Sequence, residues 1–418
     1  MDSGISGFYK LPPKKRREVL KKRIGLSEEE MERLEEFGAL KEETANDLIE
    51  NVFTNYPLPL GIATNLQVNG KDYLVPMAVE ESSVVAACSY AAKLARGNVE
   101  AEADEPIMIG QIELNGVKNF EEIEEKIMEN KDKIISRANS RDSTIIKLGG
   151  GAKDLEVRNI PKKDSCVVHL LVNVKDAMGA NIVNSMCEDV APLIEKITNS
   201  EVNLRILSNL ADRRKTRAEV TIPFDKLEKD KLSGEDVAAG IVDAYEFAAA
   251  DPYRAATHNK GVMNGMDAVC IATGNDFRAL ETGVHSHAAK SGSYEPVTEW
   301  WIEDGNLKGR IEVPIAVGTV GGITSIHPLA KINLKILDVE SAQELAKVMA
   351  SVGLLQNFAA LRALATEGIQ KGHMKLHAKN IAKQAGAKGD EIERIAETMI
   401  EEGNISQSRA EKIINKKE

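Results

Sequence analysis

The feature that most constrains this fold is a self-contained run of alternating strand and helix patterns, set inside a chain otherwise dominated by long helical stretches. Residues 106–114 read as a short strand, and 119–138 as an amphipathic helix that is first acidic, then basic. A Gly-rich turn at 148–151 is followed by an unbroken apolar strand at 167–174 and by a helix from Asp176 to about residue 197. Residues 202–207 form another strand pattern, and 218–222 one more beyond it. The segment from about 106 to 214 therefore has its own strand–helix–strand–strand rhythm and is expected to be a small α+β domain inserted into a larger one.

The flanks read differently. Residues 83–96 are Ala-rich and stop at Gly97, and 234–250 form a second Ala-rich helix. Ser27-Glu28-Glu29-Glu30 and Ser341-Ala342-Gln343-Glu344 are capping boxes that open helices ending near Gly38 and Ala365. After Gly368 the composition shifts to short, charged helical patterns, as of a small separate unit. With 418 residues and 43% hydrophobic content, two or three domains with proper cores are expected.

Net charge is −11, which argues against a general nucleic-acid-binding role. The basic run Lys14-Lys15-Arg16-Arg17 with Lys21-Lys22-Arg23 reads as a solvated helix face. Cys88, Cys166, Cys187 and Cys270 are scattered and form no CxxC pair, so neither a disulfide framework nor a zinc knuckle is expected. No stretch looks like the roughly 18 apolar residues that span a bilayer, and the first ten residues lack a signal-peptide core. The expected location is cytoplasmic.

Several nucleotide-binding signatures are absent. There is no G-x-x-x-x-G-K-[ST] loop and no G-x-G-x-x-G between strand and helix; Gly149-Gly150-Gly151 has the wrong spacing. A dinucleotide would bind outside a Rossmann frame. Asp176-Ala177-Met178-Gly179-Ala180-Asn181 follows a strand and opens a helix, so its small residues and free N–H groups suit a phosphate. The same residues also suit an Asp-capped helix with close packing.

Polar residues concentrate at 251–278: Arg254, Thr257, His258, Asn259, Lys260, Asn264, Asp267, Asn275, Asp276 and Arg278, interleaved with glycines. Apolar runs among them imply partial burial. A buried Lys–Asp pair serves either as an oxyanion stabiliser or as a structural salt bridge. Glu80-Glu81 follows the strand pattern at 73–78, and Ser82-Ser83 starts the next helix; a carboxyl at such a junction is a general acid or a helix cap. His373 and His377 share a helical face but lack the Glu of H-E-x-x-H, and His285-x-His287 has no evident third ligand. Hydrogen-bonding roles suit both pairs better than a metal.

Taken together, Pro76-Met77-Ala78-Val79-Glu80-Glu81, the 176–181 segment, Arg254-Ala255-Ala256-Thr257-His258-Asn259-Lys260-Gly261, Ala272-Thr273-Gly274-Asn275-Asp276 and Gly372-His373-Met374 resemble one family. It is 3-hydroxy-3-methylglutaryl-CoA reductase of class II, the soluble bacterial and archaeal type, and the resemblance runs from Ile49 to Ile381.

The resemblance implies an α+β fold in three units: a large, mostly helical domain for the CoA thioester and dimerisation (1–106 and 214–367), an inserted non-Rossmann, ferredoxin-like nicotinamide domain (107–213), and a C-terminal helical flap (368–418). It implies Glu81, Lys260, Asp276 and His373 as catalytic residues, with Asp276 coupling Lys260 and Glu81. Ser83, Arg254, Thr257 and Asn264 would hold the substrate. Asp142, Asp176, Ala177, Met178, Gly179, Ala180, Asn181 and Asn209 would face the cofactor. Asp142 implies NADH in preference to NADPH, and no metal is implied. Ser82 stands where relatives often have proline. The partners implied are HMG-CoA, mevalonate and CoA, without nucleic acid or membrane. Glu50-Asn51-Val52 implies a homodimer, or a larger even-numbered oligomer, with shared sites. Two other readings remain. One is a non-catalytic CoA-binding scaffold or a different CoA-thioester oxidoreductase; the other is a metal-dependent hydrolase built on His285, His287 and Asp276.

Overall fold

A computed structural model describes residues 2–36, 40–140, 144–366 and 378–415. It is a mixed helix–sheet structure with three antiparallel sheets. The first is a hairpin, β1 (Leu60–Val68) with β2 (Lys71–Ala78). The second runs β3-β8-β10-β9, from Val99–Ala103, Lys215–Pro223, Asn306–Pro314 and Thr298–Glu303. The third runs β5-β6-β4-β7, from Gly151–Ile160, Ser165–Asn173, Ile107–Asn115 and Val202–Ser208.

The placement of the third sheet has a simple cause. Strands β3 and β8 are antiparallel neighbours, paired from Val99↔Val220 to Ala103↔Thr216. The chain can leave the end of β3, build a unit, and re-enter at the start of β8 without disturbing the ladder. Within that unit the spatial order second–third–first–fourth, with helices between first and second and between third and fourth, is the ferredoxin-like split-βαβ arrangement. All nine residues of β6 are buried, the polar Ser165, His169 and Asn173 included, as its central place between β5 and β4 requires.

Edge strand β5 escaped the sequence reading because its sequence, Gly-Ala-Lys-Asp-Leu-Glu-Val-Arg-Asn-Ile, is polar on its open side. The Gly-rich turn before it is packed rather than loose. Gly149 and Gly151 take φ of +78° and +91°, and a Cβ at Gly150 would lie 2.7 Å from the Asn173 carbonyl oxygen. The Asn139 amide clamps the Ala152 N–H and C=O at 2.8 and 2.9 Å.

The largest apolar core surrounds the helix Ala342–Thr366, which packs on the helices Pro252–Ala272, Gly234–Ala250 and Val84–Leu94 and on β3, β8 and β10. By length and composition this is the one helix among the described residues that could cross a membrane, contrary to the sequence expectation, but most of it is buried inside the protein. A second core draws on residues 108–211 together with Ala316. A third gathers Ala378, Ile395, Met399 and Ile413. A fourth fastens the N-terminal helices through Leu20 and Met31 to Leu74 and Ile336. Ser27 makes the expected capping box with Glu30. The basic run sits on the helix Pro13–Ile24, where Lys15 pairs with Glu18, Lys21 with Glu28, and Arg23 reaches the Asp2 carbonyl.

Candidate active site

The helix Pro252–Ala272 starts from a side-chain cap, Asp251 accepting from the Arg254 N–H at 2.9 Å, with Pro252 at the first position. Its register then sorts the polar residues. His258 and Asn259 turn inward. His258 Nε2 meets Thr298 Oγ1 at 2.6 Å, in a buried network with Asn357 and Trp300. Burial, helped by Arg254, pushes the His258 pKa down to about 3, so the ring is neutral. Asn259 ties the Glu295 carbonyl and the Val297 N–H. With its neighbours pinned, Lys260 projects outward.

At 100° per residue, Thr257, Lys260, Asn264, Asp267 and Ile271 form one stripe. Lys260 Nζ sits 3.1 Å from Glu81 Oε2, with the two side chains 63% and 33% exposed. This corrects the sequence expectation of a buried lysine paired with an aspartate: the partner is Glu81, and the pair is open to solvent. Glu81 lies in the turn between β2 and the helix Val84–Leu94, while Glu80 beside it is exposed. The turn ends at Ser83, whose φ of +80° is a left-handed conformation that a serine adopts only under constraint. Arg254 is half-buried, which lowers its pKa, and has no carboxylate partner among the described residues. The Thr257 hydroxyl leans back on the Tyr253 carbonyl.

Asp276 stands apart from this group. Its Oδ1 accepts from the Arg278 and Ala279 N–H groups and so caps the helix Phe277–Ala288, and its Oδ2 pairs with Arg278 at 2.9 Å. Lys260 and Ala272 are twelve residues apart on one continuous helix, a rise of about 18 Å. The bonds Gly274 N–H to Ile271 C=O and Asn275 N–H to Cys270 C=O hold the next turn at the helix end. Within one chain Asp276 therefore lies beyond the combined reach of the two side chains. The expectation that it couples Lys260 and Glu81 is not met in a single subunit.

Asn275, the neighbour of Asp276, reaches Gly318, which packs on the 176–181 segment. Asn275 Oδ1 accepts from the Gly318 N–H at 2.7 Å, and a Cβ at Gly318 would lie 2.7 Å from the Met178 nitrogen. Thr319 N–H donates to the Asp176 carbonyl at 2.9 Å. Arg214, almost wholly buried and with its pKa lowered to about 10 by that burial, donates to the Ala177, Met178 and Val317 carbonyls. The helix that follows begins at Ala180, with Gly179 as an N-cap lacking a side-chain bond. Asp176 was expected to cap that helix. Instead its Oδ1 accepts from the Ala342 N–H at 2.9 Å, capping the core helix of the large unit. Small residues, an N-terminus without a side-chain cap and the exposed Asn181 fit an anionic pyrophosphate. Asn209 is exposed at the end of β7, with its carbonyl facing Gly283.

His285 and His287 do not form a ligand pair, since residues two apart on a helix do not face each other. His285 contacts Glu281 at 2.5 Å and Tyr294 at 2.7 Å. Asp142, His373 and His377 lie outside the described residues.

A family model described as hydroxymethylglutaryl-coenzyme A reductase matches residues 12–378. The chain is 52% identical to a 3-hydroxy-3-methylglutaryl-coenzyme A reductase of Archaeoglobus fulgidus, covering 100% of this chain and 95% of that protein. A solved reductase of the same name from Streptococcus pneumoniae superposes with a TM-score of 0.84 at 39% identity, covering 99% of both chains. A class II structure from that organism, bound to NADPH in open conformations, gives a TM-score of 0.82 at 40% identity and covers 97% of this chain and 99% of that one.

Proposed function

This chain belongs to the hydroxymethylglutaryl-coenzyme A reductase family, and from that premise we propose how its own residues divide the work. The family's reaction is the four-electron, NAD(P)H-dependent interconversion of 3-hydroxy-3-methylglutaryl-CoA and mevalonate plus CoA. The observation that carries the proposal is the Lys260–Glu81 pair on an open stripe with Thr257 and Asn264.

Two nicotinamides, bound in succession, would supply one hydride each. Lys260 stabilises the negative charge that builds on the thioester carbonyl oxygen. His373 protonates the departing thiolate. Glu81, held 3.1 Å from Lys260, gives up a proton to the aldehyde oxygen in the second reduction. Arg254, a cation without a carboxylate partner among the described residues, together with Ser83, Thr257 and Asn264, holds the acyl carboxylate and hydroxyl. The unit 1–106 with 214–367 binds the thioester, 107–213 binds the cofactor through Asp176–Asn181 and Asn209, and 368–418 closes over both. Asp142 makes NADH the preferred cofactor, because a carboxylate accepts from a ribose 2′-hydroxyl and repels a 2′-phosphate.

The active unit is a homodimer with shared sites. The separation of Lys260 from Asp276 along one helix supports this. So does the attachment of Asp276 to the Asp176–Met178 turn through Asn275 and Gly318. Asp276 and the cofactor turn of one subunit serve the Lys260 and Glu81 of its partner. Subunit mixing tests this. Lys260→Ala and Asp276→Ala are each inactive alone, and mixed statistically they regain about a quarter of wild-type nicotinamide oxidation, since a hybrid dimer keeps one intact site. Mixtures as inactive as the parents would sink the shared site.

A further inference from the structure

A group of ionisable side chains starts at the half-buried end of the Lys260 stripe and takes no part in the steps above. Asp267 sits two turns beyond Lys260 on the same face of the helix Pro252–Ala272. Its carboxyl is in hydrogen-bonding contact with that of Glu281, on the helix capped by Asp276. The other side of Glu281 meets His285 Nε2 at 2.5 Å, and His285 Nδ1 meets the Tyr294 hydroxyl at 2.7 Å. Tyr294 in turn contacts Asn259, back on the first helix. The Asp267 Oδ1 is buried without a hydrogen-bond partner.

Two ionised carboxylates are acceptors only, so this contact requires a proton. Burial, then the contact with Glu281, pushes the Asp267 carboxyl well above the carboxylate range, while the His285 contact lowers the Glu281 carboxyl from its ordinary value. The proton therefore belongs to Asp267.

We propose that the Asp267–Glu281 pair, anchored by His285 and Tyr294, is a one-proton positioning bridge. It fixes the helix that presents Lys260 against the helix that presents Asp276, and it releases them when the proton is lost at alkaline pH. Under the shared-site reading above, on which this rests, these helices serve the two different sites of the dimer. The bridge then sets the spacing between sites.

The surroundings leave the proton to this pair. Arg278, one turn before Glu281 on the second helix, is paired to Asp276. On the core helix Ala342–Thr366, Glu344 is engaged by Lys71 and Tyr73, and Arg362 reaches the Leu227 carbonyl and lies over Tyr90; Lys347 lines a separate cavity. On the helix Pro328–Leu337, Lys335 is paired with Glu30, and Asn333 meets the Ala272 carbonyl. On the helix Val84–Leu94 and β2, Lys93 is exposed and Asp72 pairs with Arg96. On the helix Gly234–Ala250, Asp236 is held in a capping box by Ser233, and Asp243 and Glu246 are exposed. On β10, Glu312 is held by Lys215 and Arg217, Arg310 by Glu299, and Lys308 by Glu303.

The test is the pH dependence of thioester reduction and of thermal unfolding for the full dimer and for Asp267→Asn, whose amide keeps a donor at every pH. Near neutrality the variant should turn over within about twofold of wild type with an unchanged KM, and its alkaline limb should move up by about one pH unit or more. A raised folded pKa contributes stability that is fully present below the unfolded carboxylate value and is lost as pH rises through the folded one. The unfolding midpoint of the wild type should therefore fall with rising pH more steeply than that of Asp267→Asn. Glu281→Gln provides a second neutral bridge with the same expected flattening. Identical limbs in wild type and both variants overturn the positioning role, even if the unfolding slopes differ. Identical unfolding slopes overturn the shared proton. The unfolding arm does not depend on what Lys260 and Asp276 do, so failure of the subunit-mixing experiment leaves it intact.

Discussion

Replacing Lys260 with alanine should separate activity from stability. Its ammonium lies 3.1 Å from Glu81, and nearly two-thirds of the side chain faces solvent. At that distance and the dielectric of water, Coulomb's law gives about 1.3 kcal/mol, and side-chain entropy and salt screening reduce an exposed pair to under about 1 kcal/mol. For units of this size that is a fall in unfolding midpoint of at most about 2–4 °C. The same charge facing a developing oxyanion is worth far more. Removing one such stabiliser typically costs about 2.7–4 kcal/mol, so turnover should fall by roughly 10²–10³ or more. Nicotinamide oxidation followed by absorbance, beside a thermal melt of the same preparation, reads both quantities. A variant that keeps turnover within tenfold of wild type shows that Lys260 does not face the reacting carbonyl. One that loses 10 °C or more shows that the lysine is structural and that the activity loss is uninformative.

His373→Gln should abolish most thioester reduction while sparing reduction of free mevaldehyde, which releases no thiolate; equal losses on both substrates would remove His373 from that role. The ratio of kcat/KM for NADH over NADPH should exceed one and drop in Asp142→Ala; a ratio below one would show that Asp142 does not meet the ribose. His258 is held neutral by burial, with its pKa down at about 3, so it contributes stability above the unfolded histidine value that is lost as pH falls toward 3. His258→Asn should therefore melt earlier at neutral pH and show a flatter acid slope, and a parallel slope would contradict the burial argument.

Much of this arrangement was legible in the sequence wherever a single local rule governs. The Ser27 capping box, the buried strand β6 and the strand–turn–helix around Glu81 follow from patterns a few residues long. Failures occur where a side chain's partner is distant in sequence. Asp176 looks like a cap for the helix just after it, yet it caps one that starts 166 residues later. Lys260 looks buried because His258, Asn259 and Val262 around it are buried, but helix phase alone turns it out. The Asp267–Glu281–His285 group left one local trace, the four-residue spacing of Glu281 and His285, which reads equally well as an ordinary surface pair. The distance from Lys260 to Asp276 is legible once the helix is known to be unbroken, and the glycines at 261 and 265 hide that continuity from a sequence reading.

The Asp176 cap also bears on the order in which the protein can be built. Ala342 opens the longest helix among the described residues, and its first turn is capped both by Ser341 and by a carboxylate from the loop after β6. During synthesis Asp176 and the sheet β5-β6-β4-β7 leave the ribosome long before residue 342, so the acceptor is made well ahead of the helix that it caps. The sheet β5-β6-β4-β7 with the loop after β6 is thus not an interchangeable cassette. A foreign cofactor unit grafted between β3 and β8 would need to bring its own acceptor to the position of Asp176. Without one, the Ala342 N–H would lose its partner while Ser341 still caps the Glu344 N–H, and the graft would be seen first as lower stability rather than as altered cofactor choice.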